Sequence, residues 1–350
     1  MTLLDRLGVR LPIFQAPMAG VSTPEMAAAV SNAGGLGGIA VGATDAAGAA
    51  VMIEAVRALT DRPFNVNVFV HATPVPDPAQ EAAWLEALSP LFAEFGAETP
   101  SSLRATYRSF ADDAAMQALL IEAAPTVVSF HFGLPGAEAI AALKAAGCVL
   151  LATATSLEEA RAIQAAGIDG VVAQGWEAGG HRGVFDPDAP DDRLGTMALT
   201  RLLVERTTLP VIAAGGIMDG RGVRAARDLG AVAAQLGTAF IACPESAADG
   251  FYRAALASEA AEHTAMTRVI SGRPARCLAN RFTKWDAEPY PPVPAYPIAY
   301  DAGKALNAAA RGRDDGGFGA QWAGQGAALA RSLPAADLVA RLAREMEETA

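Results

Sequence analysis

The stretch from Gly170 to Gly183 reads GVVAQGWEAGGHRG, and it sets the pattern for much of the chain. A short apolar run ends at Gln174, and the loop after it carries four glycines together with His181 and Arg182. Glycine has no Cβ, so the backbone can approach a ligand closely. A surface loop without a function would explain the glycines but not the polar residues among them. We therefore interpret the stretch as a buried strand followed by a binding loop.

Short apolar strands alternate with Ala-rich helices along the chain. Capping residues mark helix starts, as at Thr23 and Ser156, and glycines such as Gly34 and Gly147 mark helix ends. Eight such strands favour an α/β protein with a closed (β/α)8 TIM barrel over an open doubly wound sheet. The predicted strands are Pro12–Ala16, Gly35–Ala40, Phe64–Val70, Thr126–His131, Cys148–Thr153, Gly170–Gln174, Pro210–Ala214 and Ala231–Leu236. The predicted helices are Pro24–Ala33, Ala46–Leu59, Ala137–Ala146, Leu157–Ala166, Met197–Arg206 and Gly222–Asp228.

Two segments interrupt this alternation. Residues 71–124 are too many for one crossover, so we expect additional helices there, lying over the mouth of the barrel. Residues 244–350 contain a proline-rich bend at Pro289–Pro297 and a terminal helix from Pro334. We therefore predict a barrel over residues 1–243, with an insertion at about 71–124, and a C-terminal helical or lid elaboration over 244–350 that packs on the barrel mouth.

Composition and charge exclude several classes of protein. With 52% hydrophobic and 19% charged residues, the 350-residue chain can bury a large core. Its net charge of −11 argues against general binding to nucleic acid or to an anionic membrane. No apolar stretch approaches the ~20 residues of a membrane helix, and the N-terminus lacks the apolar region of a signal peptide. Cys148, Cys243 and Cys277 have no metal-ligand spacing, so we expect a reduced cytoplasmic protein without a metal.

Polar residues cluster at the predicted carboxyl ends of the strands, where barrels of this class have their active sites. Side-chain amides there can hydrogen-bond a flat heteroaromatic ring. The loops after the last two strands, Ala213–Ile217 and Gln235–Thr238, are the usual phosphate-binding positions of the fold, because glycine amides converge there on an anion. They predict a phosphorylated ligand. The polar strand-end residues are Gln15, Asn65, Asn67, His131, Thr153, Thr155, Gln174 and His181.

Several motifs resemble, in the right order, one enzyme family. They span about Pro12 to Arg331 and are similar to those of the FMN-dependent nitronate monooxygenases, formerly called 2-nitropropane dioxygenases. The segment Ser129–Gly133, which reads SFHFG, points to the class I branch. Cys277 stands where the family more often has glycine. The motifs are Gln15–Met18, Pro63–Asn67, Ser129–Gly133, Gln174–Gly183, Ala213–Ile217, Gln235–Thr238, Gly272–Arg276, Asn280–Phe282 and Trp322–Gly326.

The resemblance implies that FMN lies across the strand ends. Its phosphate would rest on the glycine loops, and Asn67 and Gln174 would hydrogen-bond the flavin ring. Positive charge near the pyrimidine end of the ring is expected from His181, Arg182 or a helix N-terminus. The residues assigned to the cofactor are Ala16, Pro17, Met18, Asn67, Gln174, Gly179, Gly180, His181, Gly215, Gly216, Gln235, Leu236, Gly237 and Thr238.

By the same resemblance, the reaction is oxidation of an alkyl nitronate, propionate 3-nitronate in particular. O2 is the co-substrate, and the products are an aldehyde or semialdehyde plus nitrite or nitrate. His131 matches the family's proposed catalytic histidine, and an imidazole titrating near ~6.5 suits removal of the α-proton from a neutral nitroalkane. His71 and His263 have no such context and are expected at the surface. The residues expected on the substrate side are Tyr107, Tyr296, Tyr300 and Lys304, the last three sharing a helix face if Pro297 opens that helix.

Two other functions are compatible with the sequence. An FMN-dependent NAD(P)H:quinone reductase or enoyl-acyl-carrier-protein reductase would share the barrel and the cofactor but would consume NAD(P)H. A barrel that binds a phosphorylated ligand without redox chemistry would be colourless when purified. The expected partners are a small nitronate and O2, and the sequence is compatible with either a monomer or a homodimer.

Overall fold

Eight parallel strands form one sheet in the computed structural model, which describes residues 2–286 and 289–348. A bridge between Phe14 and Leu36 joins the first strand to the start of the second, so the sheet closes into a barrel. The (β/α)8 prediction is therefore confirmed. The strands in chain order are β1 (Ile13–Gln15), β2 (Gly37–Ala40), β3 (Phe64–Phe69), β4 (Val127–His131), β5 (Val149–Ala154), β6 (Gly170–Gln174), β7 (Gly180–His181), β8 (Val211–Ala214), β9 (Ala233–Leu236), β10 (Thr264–Thr267) and β11 (Ala275–Leu278).

The strand order around the barrel is β1-β9-β8-β6-β5-β4-β3-β2. All predicted strands and helices form, with bounds within two residues of those expected. The predicted caps also form: the Thr23 hydroxyl accepts from the Met26 amide (3.1 Å), and the Ser156 hydroxyl from the Glu159 amide (3.2 Å). The helices are α1 (Leu3–Leu7), α2 (Pro24–Asn32), α3 (Ala46–Leu59), α4 (Pro78–Glu94), α5 (Ala114–Ala123), α6 (Ala137–Ala145), α7 (Leu157–Ala165), α8 (Thr196–Arg206), α9 (Gly220–Asp228), α10 (Thr238–Ile241), α11 (Gly250–Leu256), α12 (Arg281–Trp285), α13 (Ile298–Arg311) and α14 (Ala335–Glu347).

Side chains along each strand alternate between the barrel interior and the layer beneath the helices. In β4, Val128 and Phe130 belong to the core between strands and helices. Val127 instead packs inside the barrel with residues of other strands, and Leu3 and Leu7 of α1 close that end. The amino end of the barrel interior is therefore filled mainly by apolar side chains, and Asn67, His131 and Gln174 lie toward the carboxyl end.

The segments outside the regular alternation divide between the outer ring and the carboxyl end. Helix α5, in the predicted insertion, packs on α3 and α6, and α14 at the end of the chain packs on α9 and α2. Both helices therefore complete the outer ring of the barrel. Helix α4 instead packs on α13. The predicted boundary between residues 243 and 244 would therefore separate α14, which completes the outer ring, from the barrel on which it packs.

A small antiparallel sheet ties the binding loop to the C-terminal part of the chain. Strand β11 pairs with β10 on one side and with β7 on the other, where Arg276 lies opposite Gly180. The loop after β6 is therefore held in place by residues almost a hundred positions later. No helix in the described part of the chain is long and apolar enough to cross a bilayer.

Gly37 marks the closest approach of α2 to the barrel. A Cβ added at Gly37 would lie 1.9 Å from the carbonyl oxygen of Ala27. We expect Gly37→Ala to lower the free energy of unfolding by about 1–3 kcal/mol, because α2 or β2 must move. Chemical denaturation measures this. Gly250→Ala is the matched control, since a Cβ there meets no heavy atom within 4 Å. Equal stabilities of the two variants would contradict the close packing of α2 on β2.

Candidate active site

A cavity of about 430 Å³ opens at the carboxyl ends of the barrel strands. Strands β3, β4, β5, β6, β8 and β9 contribute to its wall, and so do the insertion and the C-terminal segments. Every site residue predicted from the sequence, except Leu236, lines this cavity. They are Ala16, Pro17, Met18, Asn67, Tyr107, His131, Gln174, Gly179, Gly180, His181, Gly215, Gly216, Gln235, Gly237, Thr238, Tyr296, Tyr300 and Lys304.

The assignment of Leu236 to the cofactor is wrong for its side chain. Leu236 is buried with Ile13 and Ala234 in the layer between barrel and helices. The preceding residue, Gln235, lines the cavity, and successive side chains of a strand point to opposite faces. The Leu236 side chain therefore points away from the cavity. The backbone carbonyl of Leu236 accepts from the amide of Ala16 (2.8 Å). Leu236 therefore supports the loop after β1 and does not face a ligand.

Three polar strand-end residues also lie outside the cavity wall. The Gln15 side chain donates to the hydroxyl of Ser22 (2.8 Å) and accepts from the amide of Gly38 (2.8 Å). It therefore links the loop after β1 to β2. Asn65 lies deeper in β3, and Thr155 lies beyond the end of β5. Strand alternation excludes Gln15, whereas Asn65 and Thr155 are excluded by their position along the strand, since Asn67 and Thr153 on the same faces do line the cavity.

Asn67 and Gln174 line the cavity and are held in place by neighbouring groups. The Asn67 amide donates to the carbonyl oxygen (3.1 Å) and the hydroxyl (2.9 Å) of Ser129. The Gln174 amide donates to the carbonyl of His181 (2.9 Å) and accepts from the amide of Gly183 (2.7 Å). Both amides are therefore preorganised by the protein.

Glycine turns meet in the cavity wall after β6, β8 and β9. Gly180, Gly215 and Gly216 have positive φ values of 76°, 128° and 68°, which glycine adopts without strain. The backbone N–H groups of Gly179, Gly215 and Gly216 donate to no described residue. They are therefore free to bind a ligand, and an anion is the ligand that converging amides suit best.

The segment Ala323–Gly326 closes this part of the cavity. The amide of Gly324 donates to the Thr238 hydroxyl (2.9 Å), and a Cβ added at Gly179 would lie 2.4 Å from the Gly324 nitrogen. Sequence reasoning assigned no role to this segment, although the glycines of the WAGQG motif were a usable signal. The unassigned residues that line the cavity include Met218, Tyr252, Trp322, Gly324 and Gly326.

His131 is bonded through both ring nitrogens. Nδ1 lies 3.0 Å from the Thr153 hydroxyl, and Nε2 lies 3.2 Å from the carbonyl oxygen of His181. A carbonyl only accepts, so Nε2 carries the proton and Nδ1 accepts from Thr153. Desolvation lowers the pKa of His131 to about 4. The hydrogen bond to the His181 carbonyl raises the pKa, whereas the positive charges of Arg273 and Arg182 lower it further. The expected imidazole titrating near ~6.5 is therefore wrong, and His131 is a neutral, weak base.

His181 is also neutral. Its Nε2 lies 2.9 Å from the Ser271 hydroxyl, and its ring packs on Trp322 (4.9 Å between centroids) and Tyr296 (5.3 Å). Desolvation among these groups lowers the pKa of His181 well below its ordinary value. His181 therefore lines the cavity as an aromatic, uncharged residue.

Arg182 is a buried arginine that is paired with a carboxylate. It is buried, and its Nε lies 2.7 Å from a carboxylate oxygen of Asp191. It also donates to the carbonyl oxygen of Gln174 and lies over the Trp176 ring. Of the three expected sources of positive charge, His181 is neutral and Arg182 is paired with Asp191, although the charge of Arg182 still lowers the pKa of His131. The third source, a helix N-terminus, stays a prediction.

Tyr107, Tyr296, Tyr300 and Lys304 form a tyrosine–lysine cluster at the side of the cavity built by the insertion and α13. The Lys304 ammonium lies 4.3 Å from the Tyr107 ring centroid and 5.0 Å from that of Tyr300. Helix α13 begins at Ile298, so Tyr296 precedes it instead of occupying its first turn. The cluster still forms, since the Tyr107 and Tyr296 rings are 6.4 Å apart.

His71 is buried, and its expected place at the surface is wrong. Its side chain is 4% exposed, and its ring packs edge-on against Tyr296 with centroids 5.1 Å apart. Nδ1 lies 3.0 Å from the carbonyl oxygen of Ala72. Burial lowers the pKa of His71. The chain thus keeps three neutral histidines in and behind the cavity.

These neutral histidines predict loss of stability on mild acidification. His71, His131 and His181 have folded pKa values below the unfolded value of ~6.5. Below about pH 6.5 the unfolded chain therefore binds more protons, and stability falls as pH decreases toward about 4. Urea denaturation at about pH 7, 6 and 5 measures this, with His131→Asn expected to flatten the dependence. Constant or rising stability over that range would contradict the neutral state of these residues.

Comparison with known proteins supports the resemblance seen in the sequence. The chain matches the sequence profile of the family described as nitronate monooxygenase over residues 1–345. A nitronate monooxygenase of Paraburkholderia phytofirmans is 62% identical over 348 residues, covering 99% of this chain and 95% of the relative. A nitronate monooxygenase of Pseudomonas aeruginosa is 57% identical over 341 residues, covering 97% of each chain.

A solved structure agrees with these relatives. The nitroalkane oxidase from Streptomyces ansochromogenes has a TM-score of 0.89 to this chain at 44% identity, covering 98% of this chain and 97% of the other. Profile, relatives and fold all extend over nearly the whole chain. The chain is therefore an oxidoreductase that belongs to the nitronate monooxygenase family.

Proposed function

We propose that this protein oxidises alkyl nitronates with O2, using FMN, and that propionate 3-nitronate is its substrate. The products are an aldehyde or semialdehyde plus nitrite or nitrate. The observation that carries the proposal is that one cavity brings together unpaired glycine amides, polar strand ends and the tyrosine–lysine cluster. We also propose that the protein works in the reducing cytoplasm, because Cys148, Cys243 and Cys277 are buried, unbridged thiols.

The cavity fits FMN in size and in chemistry. Its volume of about 430 Å³ lies within the ~300–1,000 Å³ typical of small-molecule sites. The unpaired amides of Gly179, Gly215 and Gly216 suit a phosphate, and the fixed amides of Asn67 and Gln174 suit the edge of a heteroaromatic ring. When bound, FMN supplies the redox chemistry between the substrate and O2.

The charge of the cavity suits an anionic substrate. Among the described residues that line it, Lys304 is the one lysine or arginine, and there is no Asp or Glu. This holds in a chain with a net charge of −11. Propionate 3-nitronate carries a carboxylate and a nitronate, and Lys304 is placed to bind either group. The hydroxyl groups of the tyrosine–lysine cluster lie beside it and can donate to oxygen atoms of the substrate.

The state of His131 suits a nitronate better than a neutral nitroalkane. A nitronate has already lost its α-proton, so it needs no base. With a pKa of about 4, His131 is neutral at physiological pH and can accept a proton only weakly. The Nδ1 atom of His131 accepts a hydrogen bond from the Thr153 hydroxyl, and its lone pair would take the proton of a neutral nitroalkane. His131 therefore positions a nitronate and serves as a slow base for a nitroalkane.

Oxygen uptake by the purified yellow protein tests the proposal. Propionate 3-nitronate should give rapid O2 consumption, with nitrite and nitrate accounting for the substrate oxidised. NADH, with or without a quinone, should give none. Rapid NADH oxidation would favour a reductase on the same barrel. A colourless protein without flavin absorbance would favour a barrel that binds a phosphorylated ligand without redox chemistry. Either result would contradict the proposed function.

His131→Asn separates the two roles of His131. We expect the variant to lose turnover of a neutral nitroalkane by about 10²-fold, the usual contribution of a general base. Turnover of the matching nitronate should fall far less, because no proton is removed. Steady-state kcat/KM on both forms measures the ratio. His71→Asn removes another buried imidazole, outside the cavity wall, and should leave the ratio unchanged. Equal losses on both substrates in His131→Asn would reject the base role.

A further inference from the structure

Arg273 is a buried cation that lacks a carboxylate partner. Its side chain is 2% exposed, and none of the described carboxylates lies within salt-bridge distance of it. Its Nη2 donates to the carbonyl oxygens of Val184 and Phe185, and its Nε is buried without a partner in the described part of the chain. An unpaired buried charge is costly, so its retention points to a role other than stability.

The groups around Arg273 leave most of its charge uncompensated. Glu159 and Asp186 act on it only through space, and Arg268 opposes them. The Glu159 carboxylate is already occupied, since it accepts from the amide and hydroxyl of Thr155 and from the amide of residue 185. Burial lowers the pKa of Arg273 to about 10, so the guanidinium stays protonated at neutral pH.

Arg273 packs on the ring of Phe132, whose aromatic neighbours line the cavity. The guanidinium carbon lies 4.3 Å from the ring centroid of Phe132. Phe132 has a φ of 80°, which is rare for a bulky residue and which the surrounding structure must impose. The Phe132 ring also packs against four rings that line the cavity. Its neighbours, by centroid distance, are His131 (4.4 Å), Phe69 (5.1 Å), Tyr296 (5.4 Å) and His181 (5.6 Å).

We propose that Arg273 is a positioning residue that gives this part of the cavity a fixed positive potential and so makes it prefer anionic ligands to neutral ones. Arg273 touches no ligand and acts through Phe132 and the rings around it. At an effective dielectric constant of ~20, the Coulomb attraction of a unit charge behind the cavity wall is enough to change the affinity for an anion by about tenfold. The proposed function supplies the identity of the anion, a nitronate, while the preference for anions stands on the geometry alone.

The same charge keeps its neighbours neutral. Burial lowers the pKa of His71, His131 and His181, and the positive charge of Arg273 lowers each of them further. Lys304 lies at the tyrosine–lysine side of the cavity, where it binds directly. The positive charges of Lys304 and Arg273 therefore both act on the cavity, whose imidazoles are neutral.

Calorimetric titration of the purified holoenzyme tests this proposal without turnover. The probes are sodium nitrite, which has the two oxygen atoms of a nitronate group, and neutral 1-nitropropane. We expect Arg273→Gln to weaken nitrite binding by about tenfold and to change 1-nitropropane binding much less. Arg273→Lys should keep most of the preference for nitrite. Arg253→Gln is the control, since Arg253 also donates to backbone carbonyl groups but does not line the cavity.

Two outcomes would overturn the proposal. One is unchanged nitrite affinity in Arg273→Gln, and the other is an equal loss for both probes, which would indicate a purely structural role. If Arg273→Gln does not fold, Arg273→Lys decides, because loss of the nitrite preference in that folded variant rejects a role for the charge. If the protein does not oxidise nitronates, the predicted nitrite affinities would be unaffected. The two proposals can therefore be rejected independently.

Discussion

The closed parallel barrel forces every strand to point successive side chains to opposite faces, and the rest of the structure depends on this constraint. In β4 it sends Val127 into the apolar interior at the amino end and His131 into the cavity at the carboxyl end. In β9 it turns Gln235 inward and Leu236 outward. The position of a residue along its strand therefore decides whether it stabilises the fold or meets a ligand.

Desolvation is the second force that shapes the site. The rings packed around the cavity exclude water, and buried imidazoles consequently become neutral, as in His131 and His181. Among the described cations, Lys304 lies in the wall and Arg273 is buried behind it, while Arg182 is paired with Asp191. An acidic protein thus presents a cavity whose described wall residues include no carboxylate, which suits a small anionic substrate.

Local sequence patterns predicted the fold and the strand ends that form the site, and the family resemblance supplied most of the individual cavity residues. Capping residues, apolar runs and glycine turns act over a few residues, so the strands and the turns near Gly180 and Gly215 could be located. The errors concern long-range effects. Strand alternation turns Leu236 away from the cavity, and burial by distant segments lowers the pKa of His131 and encloses His71. Helix α14, at the end of the chain, packs on the outer ring of the barrel.

The central claim is that the glycine turns and the fixed amides of this one cavity hold FMN. A crystal structure of the purified protein with its bound flavin tests it most directly. We expect the phosphate to accept from the amides of Gly179, Gly215 and Gly216 and the ring to lie beside Asn67 and Gln174. A flavin bound elsewhere, or a phosphate remote from all three amides, would contradict the claim.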